Sequence, residues 1–339
     1  MFYLNGWFSK DNILPLLNEK KDSTLIIFHT NEDDFIGKIK INSENIIFIK
    51  TSNIILDGKF LDIGFLVYET KLKLVNAFFN SNADLILANL KNSKIDIKNG
   101  FILSNIIKND EGNDLIFFLS SIFGMKCKII GIDFEKFQNN CVFYNGNFYN
   151  HYFFLFSYDN EKNFSYIDEF WEDYLGPFII TDAFDGGFKN ISWQNPVHFF
   201  LSKIPSLSYQ HIENSIKYFP LKIISLKKDY SIIKLKMDFG KSIDLFYNDI
   251  SIFSYQYAFI EKCNIHILFD KIRKMKKAKK YNLLILTGDL PFIINDYLKN
   301  NFKLAKLFSF KSFTGITSNL IIIPTKSIPK LTTNCIFGI

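Results

Sequence analysis

Arginine is nearly absent from this 339-residue chain: Arg273 is the only one among 40 basic residues, and the net charge of +6 rests on lysine. Readers of nucleic-acid sequence depend on the planar, bidentate guanidinium fork, so a chain with one arginine is a poor candidate for that role. Cysteine is scarce too. The four present, Cys127, Cys141, Cys263 and Cys335, lie far apart with no CxxC pair, which gives no zinc site and fits a reducing compartment. No run of about 18 apolar residues is free of charge, so no membrane-spanning helix is expected. The opening residues "MFYLNGWFSKDN" lack the basic region and apolar stretch of a secretory signal. These absences together predict a soluble, cytoplasmic protein.

What is abundant is apolar and aromatic. Hydrophobic residues reach 48% and charged residues 22%, with 39 phenylalanines, a globular composition with ample core. Phe, Ile, Asn and Lys stand where Leu, Ala and Arg are usual. That is a coding bias, so single residues of those types carry little functional weight.

Short apolar runs bounded by turn residues recur along the chain. "TLIIF" (24–28), "NIIFIK" (45–50), "DIGFLVY" (62–68), "ADLILAN" (83–89) and "KIIGIDF" (128–134) come first; "PFIIT" (177–181), "LKIISL" (221–226), "YNLLILTG" (281–288) and "NLIIIP" (319–324) follow. Strands apolar on both sides are those of a sheet covered on both faces. Helical spacing in "LPLLNEK" and "YQHIENSIKYF" alternates with them. The expectation is a Rossmann-like α/β fold with a mainly parallel sheet, residues 1–230, followed by a smaller α/β subdomain, 231–339. Within the latter, "DYSIIKLKMDFGKSIDLFYND" reads as a hairpin about Gly240.

Residues 114–123, "DLIFFLSSIF", are apolar on every side and predict a buried helix ending at Gly124. The next strand carries Asp133 at its carboxyl end, where open α/β sheets bind ligands. Gly112, Gly124, Lys126 and the run Gly131-Ile132-Asp133-Phe134 together resemble a segment of bacterial lipooligosaccharide sialyltransferases. The related motility accessory factors and pterin pyrophosphokinase-like proteins share that segment. "IIFIKTSNIILDGKFLDIGFLVYE" (46–69), with Asn53, and "HIENSIKYFPLKIISL" (211–226) are similar to two further elements of that family. In place of the family's "GNGPS" phosphate loop stands "FHTNEDD" (28–34) or "LNGWFSKDN" (4–12); Glu111 and Glu135 also depart from its pattern.

The resemblance implies a glycosyltransferase of polysaccharide biosynthesis, moving a sugar of the nonulosonic acid type from a nucleotide-activated donor to a surface glycan, with no cofactor and no metal. Asn53 would contact the donor, Gly131 and Asp133 would shape the strand-end pocket, and Tyr144 would assist the departing phosphate. His198 in "QNPVHFF" would be the general base. His151, in the aromatic "NFYNHYFF", could stack on a sugar, and Asp182 and Asp185 in "TDAFDGGF" could hold its hydroxyls. The partners implied are a nucleotide-sugar and a glycan acceptor, with no nucleic acid. "KIRKMKKAKK" (271–280), seven basic residues in ten, could touch anionic lipid at the inner membrane face. A catalytically degenerate scaffold that binds a partner stays open as the alternative.

Overall fold

In the computed structural model the described residues are 2–20, 23–39, 43–51, 53–56, 59–80, 82–93, 95–106, 119, 121–123, 127–134, 137–158, 165–184, 187–224, 230–233, 235–238, 245–247, 252–277, 284–286, 289–300, 313–315, 319–323, 330–332 and 336–338. Strand is the dominant element among them, arranged in four sheets. The first sheet runs in the order Phe2–Phe8, Phe65–Thr70, Thr24–His29, Ile46–Lys50, Val142–Tyr144, Asn147–Tyr149. The second runs Lys330–Thr332, Asn319–Ile323, Lys128–Asp133, Asn99–Ser104, His151–Ser157, Lys73–Asn80.

These two sheets lie face to face. Ile26, Phe28, Ile47 and Ile49 of the first meet Phe101, Leu103, Ile130, Ile132, Phe154 and Phe156 of the second in one core. The alternate residues of each strand point outward and are buried as well. Leu25, Ile27 and Phe48 pack under Ile13 and Leu17 of the helix Lys10–Glu19. Ile102, Ile129 and Phe153 pack under Ile86, Leu87 and Leu90 of the helix Ala83–Asn92. The N-terminal half is thus layered helix, sheet, sheet, helix.

That layering overturns the mainly parallel Rossmann-like sheet. Only three pairings among the described strands are parallel: Thr24–His29 with Ile46–Lys50, Asn99–Ser104 with Lys128–Asp133, and Leu284–Leu286 with Phe313–Gly315. The remainder are antiparallel and the sheets are mixed. A stacked sheet roofed by a helix buries both faces just as a parallel sheet does, so its strands carry the same continuous apolar runs. The short connections decide the direction, because a parallel crossover needs a dozen or more residues. Asn145-Gly146, with φ of 46° and 80°, is a two-residue hairpin turn of this kind. "ADLILAN", expected as a strand, is helical: Asn82 accepts a hydrogen bond from the Asp84 amide at 2.8 Å and caps it.

A third core lies under the sheet Tyr230–Ile233, Leu221–Ile224, Tyr257–Cys263, Trp171–Phe184, Gly187–Ile191, Leu245–Tyr247, Lys236–Asp238. It joins Ile180, Ile191, Ile223 and Ile260 to Val197 and Phe200 of the helix Pro196–Lys203. Strands Lys236–Asp238 and Leu245–Tyr247 form the expected antiparallel hairpin; Gly240 lies outside the described residues. The fourth sheet pairs Phe313–Gly315 with Asn53–Leu56, and Asn319–Ile323 pairs with Lys128–Asp133 in the second. Hydrogen-bonded ladders therefore run across residue 230, where the sequence reading drew its division. Of the predicted helix 114–123, residues 119 and 121–123 are described and helical, with Leu119 and Phe123 in the core. Glu111, Gly112, Gly124, Lys126 and Glu135 lie outside the described residues.

Candidate functional site

The first parallel pair ends in polar residues: Thr24–His29 runs into Thr30, and Ile46–Lys50 into Thr51. The Thr51 amide donates to the His29 carbonyl at 2.8 Å, holding the two ends side by side. His29 is fully buried, and among the described residues neither ring nitrogen has a hydrogen-bond partner. Burial first, and the Lys50 charge second, push its pKa down to about 3, so the imidazole is neutral. Asp33, one turn on, brings its Oδ1 to 3.9 Å from His29 Nδ1, while Lys50 ion-pairs with the other carboxylate oxygen. Lys50 also lies over the Phe137 ring, 5.6 Å from its centre.

Glu32 closes one side of this cluster. Its buried carboxylate accepts from the Gly64 amide at 2.7 Å and meets the Lys10 ammonium at 2.8 Å. Gly64 has φ +102°, and a Cβ there would come within 2.5 Å of the Trp7 indole nitrogen. Only glycine lets Trp7 lie so close over that amide. Thr30 donates to the Asp62 carbonyl at 2.6 Å, pinning the loop before Gly64. Lys10 remains half-exposed, and Asp33 and Lys50 keep partial access to water, so the buried imidazole sits one layer below the surface.

The second parallel pair ends nearby. Ser104 donates to Asp133 Oδ1 at 2.7 Å, with both residues buried. Asn105 donates to the Asn150 carbonyl at 2.7 Å and accepts from the Tyr152 amide at 2.9 Å. Among the described residues the buried Tyr152 hydroxyl has no hydrogen-bond partner; burial, then Cys141 and Asp133, raise its pKa well above the ordinary value. Phe134, just past the second pair, stacks on Phe28 of the first with ring centres 6.0 Å apart.

The sequence candidates disperse over this frame. Gly131, Asp133 and His151 share the carboxyl end of the second sheet. Asp133 is 1% exposed and bonded to Ser104, which makes it part of the wall behind the strand ends. A Cβ at Gly131 would lie 2.6 Å from the Ile102 carbonyl oxygen, so this glycine serves close strand approach. The stretch around His151, expected as an aromatic surface, is core: Tyr152 to Phe156 are buried. Tyr144 is buried at the far end of Val142–Tyr144, stacked on Phe79 at 4.9 Å; burial, Glu44 and Tyr149 raise its pKa. Asn53 pairs with Gly315 in the fourth sheet. His198 is exposed on the helix Pro196–Lys203, where Asn195 caps the Val197 and His198 amides, and that helix packs on the third core. Asp182 pairs with Asn190 on the same sheet, and Asp185 lies outside the described residues.

His29, Asp33 and Lys50 escaped the sequence reading, which took "FHTNEDD" as a defective phosphate loop. The signal was present: a histidine closing one apolar strand, a carboxylate four residues on, and a lysine closing the next strand. A second polar cluster lies on the third sheet, where Lys222 bridges Asp173 at 2.6 Å and buried Glu261 at 3.4 Å. Burial, and then the Asp173 hydrogen bond, push Glu261 up to about 8. The basic helix Ile265–Lys277 turns Leu268, Phe269, Ile272 and Met275 inward; Lys271 pairs with Glu169 and Lys274 with Asp270. Among the described residues no cluster of His, Cys, Asp and Glu could hold a metal ion, and no helix is long and apolar enough to cross a membrane. No family model, no curated protein and no solved structure matches the chain.

Proposed function

We propose that this protein is a cytoplasmic glycosyltransferase-like enzyme. It moves a sugar of the nonulosonic acid type from a nucleotide-activated donor to a surface glycan, at the joined carboxyl ends of its two parallel strand pairs. The observation that carries the reading is His29, a fully buried imidazole whose nitrogens have no hydrogen-bond partner among the described residues, beside Asp33 and Lys50. Buried polar atoms are nearly always satisfied in folded proteins, so the exceptions concentrate where a ligand belongs. The Gly131–Phe134 run, which carries the resemblance to sialyltransferases, ends at the same edge.

The chemistry follows from the charges. An anionic donor is drawn to Lys50 and neutralises it, which removes one of the two causes that hold the His29 pKa down. The imidazole then accepts the proton of the acceptor hydroxyl, and Asp33, 3.9 Å from Nδ1, stabilises the imidazolium that forms. The acceptor oxygen bonds to the sugar carbon as the bond from that carbon to phosphate breaks, and the nucleotide leaves with the electron pair. The basic stretch 271–280 would hold the enzyme at the inner membrane face.

Thermal unfolding tests this. Cytidine monophosphate or its sugar conjugates, at a hundred times Kd, should raise Tm by about 5 °C, and Lys50→Met should abolish the rise. No rise with any nucleotide or nucleotide-sugar at millimolar concentration refutes the reading, as does a rise confined to ATP with magnesium, which would point to pyrophosphokinase chemistry. The competing reading, a non-catalytic scaffold, is favoured by the three acids Glu32, Asp33 and Asp34, which oppose a phosphate after Thr24–His29.

A further inference from the structure

The strand Trp171–Phe184 carries, on its two edges, a pair of tight turns that hold aromatic rings out into water. On one side Ile191 bridges Gln194 across Ser192 and Trp193, whose φ values are 50° and 61°. On the other, Tyr255 has φ 69°. Both turns are fastened to the same short stretch of strand. The Ser192 amide donates to the Ile179 carbonyl at 2.7 Å, and the Trp193 amide to Thr181 Oγ1 at 3.0 Å. The Tyr255 amide donates to the Ile180 carbonyl at 2.6 Å, and the Ile180 amide to the Gln256 carbonyl at 3.0 Å.

Two-residue turns with positive φ favour Asn-Gly, as at Asn145-Gly146, because a side chain at such φ is strained. Ser-Trp occupies one here. Trp193 and Tyr255 are each 75% exposed, Phe253 is 64% and Tyr257 is 54%. Their strained turns are therefore not offset by burial of the rings. Neighbouring strands lie about 4.8 Å apart, so turns on either side of one strand stand roughly 10 Å from each other.

The surroundings fix the chemistry of what lands there. Neither Asn190–His198 nor Ile252–Ile260 contains a lysine, arginine, aspartate or glutamate. The turns carry Ser192, Gln194, Asn195, Ser254 and Gln256, neutral hydrogen-bonding side chains, and Asp182 lies on the strand between them. Every large exposed hydrophobic in these turns is aromatic; among the described residues the exposed aliphatic ones, Leu14, Ile63 and Leu85, lie in the N-terminal part. A protein partner would be met by aliphatic side chains and rim charges as well. A nucleic acid would need cations along its backbone. A sugar ring presents polarised C–H bonds to the negative face of an aromatic ring, and hydroxyls at its rim to amides and alcohols.

We infer that the Ser192–Gln194 and Phe253–Gln256 turns form a platform that binds a neutral glycan chain, with Trp193 and Tyr255 stacking on successive sugars. The inference extends the transferase reading to the acceptor, yet it requires no donor and no transfer. Affinity electrophoresis in gels cast with dextran, soluble starch or xyloglucan tests it. The full chain should be retarded by at least one of them, and Trp193→Ala and Tyr255→Ala should each weaken that binding tenfold or more. Trp193→Gly, which suits the left-handed turn, should lose retardation while its Tm stays at or above the wild-type value. His29→Gln and Lys50→Met should be retarded as fully as the parent, which separates this platform from the buried cluster. A wild-type chain that migrates freely in all three gels overturns the proposal, and so does full retardation of Trp193→Ala. Binding of an apolar peptide in place of every glycan would overturn it in favour of a protein partner.

Discussion

Replacing His29 with glutamine removes a group whose burial is costly in acid. In the unfolded chain a histidine titrates near 6.5; in the folded protein His29 stays neutral down to about 3. Between those values the unfolded state binds a proton that the native state refuses, so stability falls as pH falls. Each pH unit in that window is worth about 1.4 kcal/mol. From pH 6.5 to 4.5 the loss is about 3 kcal/mol, and by pH 3 it is about 5 kcal/mol. A protein with about 5–15 kcal/mol in total is brought close to unfolding by this one residue. Glutamine keeps a polar, uncharged side chain there and does not titrate. Urea unfolding at pH 7 and pH 4.5 measures the difference. At pH 7 the variant should be as stable as the parent or somewhat less so; at pH 4.5 its unfolding free energy should have fallen about 3 kcal/mol less, read as a higher midpoint with an unchanged m value. An equal acid loss in variant and parent would refute the buried neutral imidazole, and with it the assignment of His29 to the site.

Three further outcomes follow from particular contacts. Gly131→Ala forces a methyl against the Ile102 backbone and should cost about 1–3 kcal/mol, read as a lower urea midpoint. Glu261→Gln should act in the opposite pH sense: the wild-type carboxyl is held protonated up to about 8, well above the 4.5 of the unfolded chain, so its stability drops as pH rises through that window. The variant's Tm should exceed the parent's at pH 8 and converge on it toward pH 5. Asn195→Ala removes the cap of the helix Pro196–Lys203 and should cost about 1 kcal/mol, seen in the same denaturation assay.

Strand positions were legible in the sequence where apolar runs stop at charged or turn residues. Thr24–His29, Ile46–Lys50, Lys128–Asp133, Leu221–Ile224 and Asn319–Ile323 each lie within or one residue beyond a run read from composition alone. Their partners were not legible. An isoleucine strand between two sheets and one between a sheet and a helix bury the same alternate faces, and period-two patterning cannot separate them. Nor could spacing show that Asn319–Ile323 returns to lie beside Lys128–Asp133, since pairing at that separation leaves no local mark. "ADLILAN" misled because a short apolar run carries no decisive period, and the capping Asn82 stood just outside it. Of the residues around the strand ends, Asp133 was named from the sequence and lies buried against Ser104, while His29 was passed over because its value lies in what surrounds it, and burial is a tertiary property.

The late strands also govern how the chain can be made. Lys128–Asp133 has one neighbour, Asn99–Ser104, available early in synthesis, and its other edge stays bare until Asn319–Ile323 arrives. A bare apolar edge is a template for pairing with other molecules. During translation the N-terminal half therefore waits, unfinished, through nearly two hundred further residues. Chaperone holding over that interval, and aggregation of any product shortened before residue 319, are the consequences of sewing the sheet shut from its far end.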